Sequence, residues 1–196
     1  MTTPIFVVTG PPRSGTSLMM SLLRAAGLPI LADESRPADA SNPNGYFEFT
    51  PVKGSARSSQ WVESATGQAV KVIDRILPTL PRDRPYRVII MERPAQEVIA
   101  SQNRMLTRLG EPQGELPTAR LEEMLTIQVA KTRALLAEED CFDWVSVAYP
   151  ELIEFPHDRC QQILEFIGFD DPNGDRANRM VARIDTQLYR ERASAK

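Results

Sequence analysis

The sequence predicts an α/β fold, a single domain of three layers in which helices cover both faces of a mostly parallel sheet. Three observations predict it. Short apolar runs rich in β-branched residues alternate along the chain with longer stretches of helical period. The order strand, turn, helix appears twice, first from Ile5 to Gly27 and again from Tyr86 to Ser101. The 196 residues show no internal repeat, low-complexity tract or linker, and that length suits one compact domain with a sizeable core.

The first unit opens with Ile5-Phe-Val-Val8, which reads as a buried strand. Leu18 to Ala26 then reads as a helix that Gly27 ends. Leu28 to Gly45, rich in Pro, Asp, Ser and Asn, reads as a long surface loop closed by the turn Pro43-Asn44-Gly45. Tyr46, Phe47 and Phe49 are expected to anchor that turn in an apolar crevice, with Glu48 among them. A helix is expected between Pro51 and Thr66, and a second strand over Gln68–Ile73, interrupted by Lys71.

Tyr86–Met91 is a nearly continuous apolar run and the clearest central strand. Pro94 suits the first turn of the following helix, and Glu97 complements that helix's dipole. Thr107 to Pro117 carries two glycines and two prolines and reads as a loop. Thr118 is placed to cap a long helix containing Leu121, Met124, Leu125 and Leu135. Phe142–Val147 reads as another strand, followed by Tyr149-Pro-Glu-Leu152. Pro156 opens a helix that Gly168 stops, and the last ~20 residues look helical and polar.

Composition narrows the function. The chain is 42% hydrophobic and 25% charged with a net charge of −3, which argues against a broad nucleic-acid surface. No apolar run approaches the ~20 residues that span a bilayer, and the N-terminus lacks the basic and apolar regions of a signal peptide. Cys141 and Cys160 show no metal-ligand or redox spacing, and read as thiols in a reducing compartment. A cytoplasmic protein is expected, working on no nucleic acid and no membrane.

Thr9-Gly-Pro-Pro-Arg-Ser-Gly-Thr-Ser17 carries the chemistry. A glycine-bearing turn between a strand and a helix presents backbone N–H groups to an anion. Arg13 adds a fixed cation, and Ser14, Thr16 and Ser17 add hydroxyl donors. Gly10, Gly15 and Ser17 fit the nucleoside-triphosphate loop G-x-x-x-x-G-K-[ST], but Thr16 occupies the lysine position. The usual grip on β- and γ-phosphates is missing, and with it the usual reason to expect ATP chemistry.

The form G-x-P-R-S-G-T-S resembles the 5′-phosphosulfate-binding loop of sulfotransferases, enzymes that use 3′-phosphoadenosine 5′-phosphosulfate (PAPS) and release 3′-phosphoadenosine 5′-phosphate (PAP). Val88 to Gln102 resembles that family's 3′-phosphate element, an arginine past a strand and a serine eight residues on, here Arg93 and Ser101. Val147-Ala-Tyr-Pro-Glu-Leu152 resembles the tyrosine motif near the family's adenine pocket, and the Gly-Tyr-Phe-Glu turn resembles a segment of bacterial members. The resemblance covers residues 5 to about 168. It implies a P-loop-NTPase-like fold and metal-independent transfer of a sulfuryl group to a hydroxyl or amine of a small molecule or carbohydrate. It assigns the donor to Pro12, Arg13, Ser14, Gly15, Thr16, Ser17, Arg93, Ser101 and Tyr149, the last with core packing as an equal reading.

The chain departs from the family in two places. The Lys-Thr-His-type motif after the second strand reads Lys71-Val-Ile-Asp74, with no histidine, and the sole histidine, His157, belongs to a late helix. The C-terminal glycine- and lysine-rich motif that closes over the 3′-phosphate is absent. Some members of the superfamily use a glutamate after the first helix as base, and Glu48 suits that role, its flanking aromatics expected to raise its pKa. A surface carboxylate is the rival reading for Glu48, and Asp74 is the next candidate base. Lys71 either reaches the transferring group or snorkels to the surface. Two other functions stay open: a P-loop kinase with Glu92 as a metal-side carboxylate, and a PAP-binding protein without catalysis. The acceptor pocket falls to loops 28–50 and 107–117.

Overall fold

The computed structural model describes residues 3–33, 35–39, 42–43, 45–54, 59–114 and 116–189. Five strands form one sheet: β1 (Ile5–Thr9), β2 (Ile30–Leu31), β3 (Ala69–Lys71), β4 (Tyr86–Glu92) and β5 (Phe142–Ala148). Their order is β2-β3-β1-β4-β5 and every pairing is parallel. Side chains alternate between two cores, as the strand period of two requires. Phe6, Val8, Ile89 and Met91 point into one core, with the helices α1 (Thr16–Ala26), α5 (Tyr149–Glu154), α6 (Pro156–Ile167) and α7 (Asp175–Val181). Ile5, Val7, Val88 and Ile90 point into the other, with Trp61, Val62, Leu77 and Leu136. Both faces are thus covered, and the apolar runs of β1 and β4 have a cause.

The remaining helices are α2 (Thr50–Lys53), α3 (Ala95–Leu109) and α4 (Thr118–Glu138), with 3-10 segments at Gln60–Ala65, Asp74–Thr79 and Thr186–Leu188. Gly27 and Gly168 end α1 and α6 in the left-handed conformation, as expected. The long loop after α1 differs from its reading, because Ile30 and Leu31 pair with Ala69 and Val70 as an edge strand. Two residues in a Pro- and Asp-rich context give no periodicity to detect. Thr118 is the first helical residue of α4 rather than its cap, a position that Pro117 takes without a side-chain hydrogen bond. The expected helix between Pro51 and Thr66 is two short pieces, α2 and Gln60–Ala65, with residues 55–58 between them outside the described set. Asn44 of the Pro43-Asn44-Gly45 turn and residues 190–196 of the C-terminal stretch also lie outside it.

Tyr46 and Phe47 are buried, and Phe49 meets Trp61 edge-on at 6.5 Å, so the aromatic anchor forms as expected. Phe47 reaches the first core and Phe49 the second, which fixes the segment between them over the edge of the sheet. Cys141 and Cys160 are both free thiols, the latter fully buried. Among the described residues, no helix is long and apolar enough to cross a membrane.

Candidate active site

The register aligns the carboxyl ends of the strands: Val8 stands opposite Lys71, and Thr9 opposite Ile90. The loops that leave β1, β3, β4 and β5 therefore meet along one edge, where open parallel sheets bind ligands. They enclose a cleft of about 420 Å³. Its lining includes Pro12, Arg13, Gly15, Thr16, Ser17, Glu48, Lys71, Arg93, Ser101 and Tyr149, so most of the sequence-predicted site residues converge.

The loop after β1 is held in a strained shape. Gly10 has φ +139°, and a Cβ there would meet the Met91 carbonyl oxygen at 2.4 Å, so only glycine lets β1 turn beside β4. Arg13 adopts φ +70°, a left-handed conformation that costs a non-glycine residue free energy. Gly15 caps α1 with no side-chain hydrogen bond, so the first-turn N–H groups, which lack intrahelical acceptors, have no cap in their place. Thr16 and Ser17 begin α1 and line the cleft beside these groups. Ser14 departs from expectation: it is fully buried beneath the loop and its hydroxyl has no hydrogen-bond partner among the described residues. Its N–H donates to the Pro11 carbonyl at 3.2 Å, so Ser14 shapes the turn instead of facing the cleft.

The two halves of the site touch. Arg13 Nε donates to Ser101 Oγ at 3.1 Å, linking the loop after β1 to helix α3. Arg93 Nη1 donates to the Arg13 carbonyl at 3.3 Å, and Arg93 Nε pairs with Glu97 at 2.8 Å. Burial, more than any neighbour, pulls the Arg13 pKa down; Tyr46 opposes this, and Arg93 and Arg36 add to it. An anion placed here relieves that penalty.

Lys71, half-buried at the end of β3, lines the cleft. Its Nζ donates to the Tyr46 carbonyl and, at 3.4 Å, to Ser17 Oγ. Burial lowers its pKa to about 8, although Glu48 pulls it back up. Glu48 also faces the cleft, but its expected environment is corrected. Burial does push its pKa up, yet hydrogen bonds from Lys53 and Arg36 and the charge of Lys71 outweigh that and leave it lowered. Lys53 Nζ lies 2.8 Å and Arg36 Nη1 3.1 Å from its oxygens. Of the flanking aromatics, Phe47 packs into the first core, while Tyr46 and Phe49 line the cleft beside the carboxylate.

Asp74 does not join the site. It is buried at the head of the 3-10 segment Asp74–Thr79, where its carboxylate accepts from the Arg75 N–H at 2.8 Å; Val72 and Ile73 line the cleft, and Asp74 does not. Glu92, the metal-side carboxylate of the kinase reading, is held by Arg133 through two hydrogen bonds of 2.8 and 2.7 Å, and lines a separate depression. His157 is exposed in the first turn of α6, away from the cleft. Tyr149 is buried with its ring against Gly15, where a Cβ would come within 2.5 Å of Cδ2, and it also borders the cleft, so packing and site coincide in it.

Other cleft residues were not singled out in the sequence. Arg36 lies 3.5 Å over the Tyr46 ring and, with Lys53, adds cations to the rim. Leu18, Phe49, Val52, Ile73 and Met105 form an apolar wall, with Ile73 45% exposed. Asp185 and Leu188 close the cleft from the C-terminal side. Arg36 sits in the polar loop after β2 and Lys53 at the end of α2, with no spacing to mark either. Glu97 had a signal, its position four residues after Arg93.

Among solved structures, the chain is similar to the sulfotransferase domain of the Synechococcus PCC 7002 olefin synthase, with TM-score 0.53 and 18% identity over 91% of this chain and 77% of that one. The sulfotransferase domain from the curacin biosynthetic pathway aligns with TM-score 0.50 and 18% identity over 88% and 76%. Mouse sulfotransferase SULT7A1 complexed with PAP aligns with TM-score 0.56 and 13% identity over 93% of this chain. The chain has the sulfotransferase fold. It spans 65% of the length of the mouse sulfotransferase. No family model and no curated protein sequence matches it. The sulfotransferase fold is thus visible in the backbone at identities where sequence comparison finds nothing.

Proposed function

We propose that this chain is a sulfotransferase that moves a sulfuryl group from PAPS to a hydroxyl or amine of a small molecule or carbohydrate. The observation that carries the reading is the joining of the anion loop, Arg13 bonded to Ser101, and Lys71 in one cleft of this fold. The residues fit the 5′ end of such a donor: an uncapped helix start, a half-buried guanidinium, two hydroxyls and an ammonium surround one space. PAPS, when bound, supplies the sulfuryl group. With PAPS bound, Arg13 and Lys71 would face its 5′-phosphate and offset the negative charge there. Glu48, kept ionised by Lys53 and Arg36, is the carboxylate available to take the acceptor's proton. The apolar wall from Leu18 to Met105 favours an acceptor with an apolar face.

Calorimetric titration with PAP, beside Mg-ATP, tests the reading. Micromolar PAP binding with no response to Mg-ATP is expected; binding of Mg-ATP without PAP makes the protein a kinase and removes the proposal. A pH profile tests Lys71. Its lowered pKa means that Nζ loses its proton, and with it its charge, as pH rises through about 8. Turnover should fall over that window, and Lys71→Arg should carry the falling limb above about pH 10, since a guanidinium stays charged. A limb that stays at the same pH in Lys71→Arg assigns it to another group.

A further inference from the structure

Two residues that do not line the cleft hold two that do. Arg93 and Tyr149 border the cleft, while Glu97 and Tyr189 stand behind them. Glu97 is buried in the first turn of α3, where one carboxylate oxygen accepts from Arg93 Nε at 2.8 Å and the other from Tyr189 Oη at 2.8 Å. The Tyr189 ring meets the Tyr149 ring edge-to-face, 5.1 Å between centroids and 88° between planes. The Arg93 guanidinium lies over both, 4.7 Å from Tyr149 and 5.2 Å from Tyr189.

The contacts continue into the anion loop. Arg93 grips the carbonyl of Arg13, the residue held at φ +70°, and the Tyr149 ring presses on Gly15. A strained backbone persists only where its surroundings over-determine it. Here the surroundings are a directional relay from the C-terminal segment to the loop: Tyr189 to Glu97, Glu97 to Arg93, Arg93 to the Arg13 carbonyl. Burial, and then its hydrogen bond to Glu97, push the Tyr189 phenol up to about 12, so it remains a donor at neutral pH.

We propose that Tyr189 and Glu97 are positioning residues of the anion loop, and that the segment Thr186–Tyr189 is therefore part of the site. The proposal rests on the sulfotransferase reading for the identity of the ligand, but the shape of the loop depends on the relay in either case.

Tyr189→Phe keeps the ring and removes the hydroxyl, and Tyr189→Ala removes both. Backbone hydrogen exchange without ligand should quicken at Arg13–Ser17 in both variants, more in Tyr189→Ala, while the amides of β1 and β4 keep their protection. Titration with PAP should show at least about tenfold weaker binding for Tyr189→Phe, as expected for loss of one hydrogen bond to a charged group. Wild-type exchange at Arg13–Ser17 in both variants overturns the proposal, as does wild-type PAP affinity in both. If the unmodified protein binds no PAP, the donor assignment falls, and the exchange measurement alone decides the positioning role.

Discussion

Replacing Arg13 with alanine is expected to weaken PAP binding at least about a hundredfold, because two or more charge-assisted hydrogen bonds are lost from a half-buried site. Arg13 joins the two proposed phosphate positions, lying in the loop after β1 while its Nε donates to Ser101 Oγ on α3. Its neighbours Arg93 and Arg36 make the site unfavourable for one more cation and favourable for an anion. Arg13→Lys restores the charge but not the planar fork, and should recover only part of the affinity. Calorimetry on the three proteins checks this. Wild-type affinity in Arg13→Ala removes Arg13 from the donor site and, with it, the main support for sulfuryl transfer.

Gly10→Ala should give the largest loss of stability of any single methyl added to the site. At φ +139° an L-residue is strained whatever the space, and here the new Cβ would also lie 2.4 Å from the carbonyl oxygen of Met91. That obstacle is backbone in the central pair of parallel strands, so it cannot swing aside as a side chain would. A loss of roughly 3 kcal/mol follows, which lowers the melting temperature by about 10 °C in a chain of this size. Gly114→Ala is the matched control, with nothing within 4 Å of its added methyl, and should shift stability by less than about 0.5 kcal/mol. Equal melting temperatures for the two variants, measured by calorimetry, would show that the loop after β1 does not need its glycine.

The parts of the molecule that announce themselves in the sequence do so through local physics. Buried parallel strands must be apolar on both sides, which made β1 and β4 plain, and the turn chemistry of Gly10–Ser17 is written in consecutive residues. What was hidden depends on distant contacts. β2 is two residues long and exists only because β3 offers it an edge. The lowered pKa of Glu48 is set by Arg36 and Lys53, twelve residues before and five after it, which its aromatic neighbours gave no reason to expect. Asp74 sits three residues beyond Lys71, yet it turns inside the fold while Lys71 faces the cleft, a difference of rotation that a pattern of residue types does not carry. The partnership of Tyr189 with Glu97 spans 92 positions. Only the Arg93–Glu97 spacing offered a local sign of it.

The strands spend their own side chains on the two cores and leave the chemistry to the residues at which each strand ends. Scaffold and reactivity are thus recorded in separate parts of the text. Exchanging Ile73 and Met105, which line the cleft without belonging to either core, for polar residues would alter what the cleft admits while leaving β1, β4 and the anion loop as they are. The same rack can hold a different set of tools, which makes this chain a candidate for retargeting by substitution along one rim.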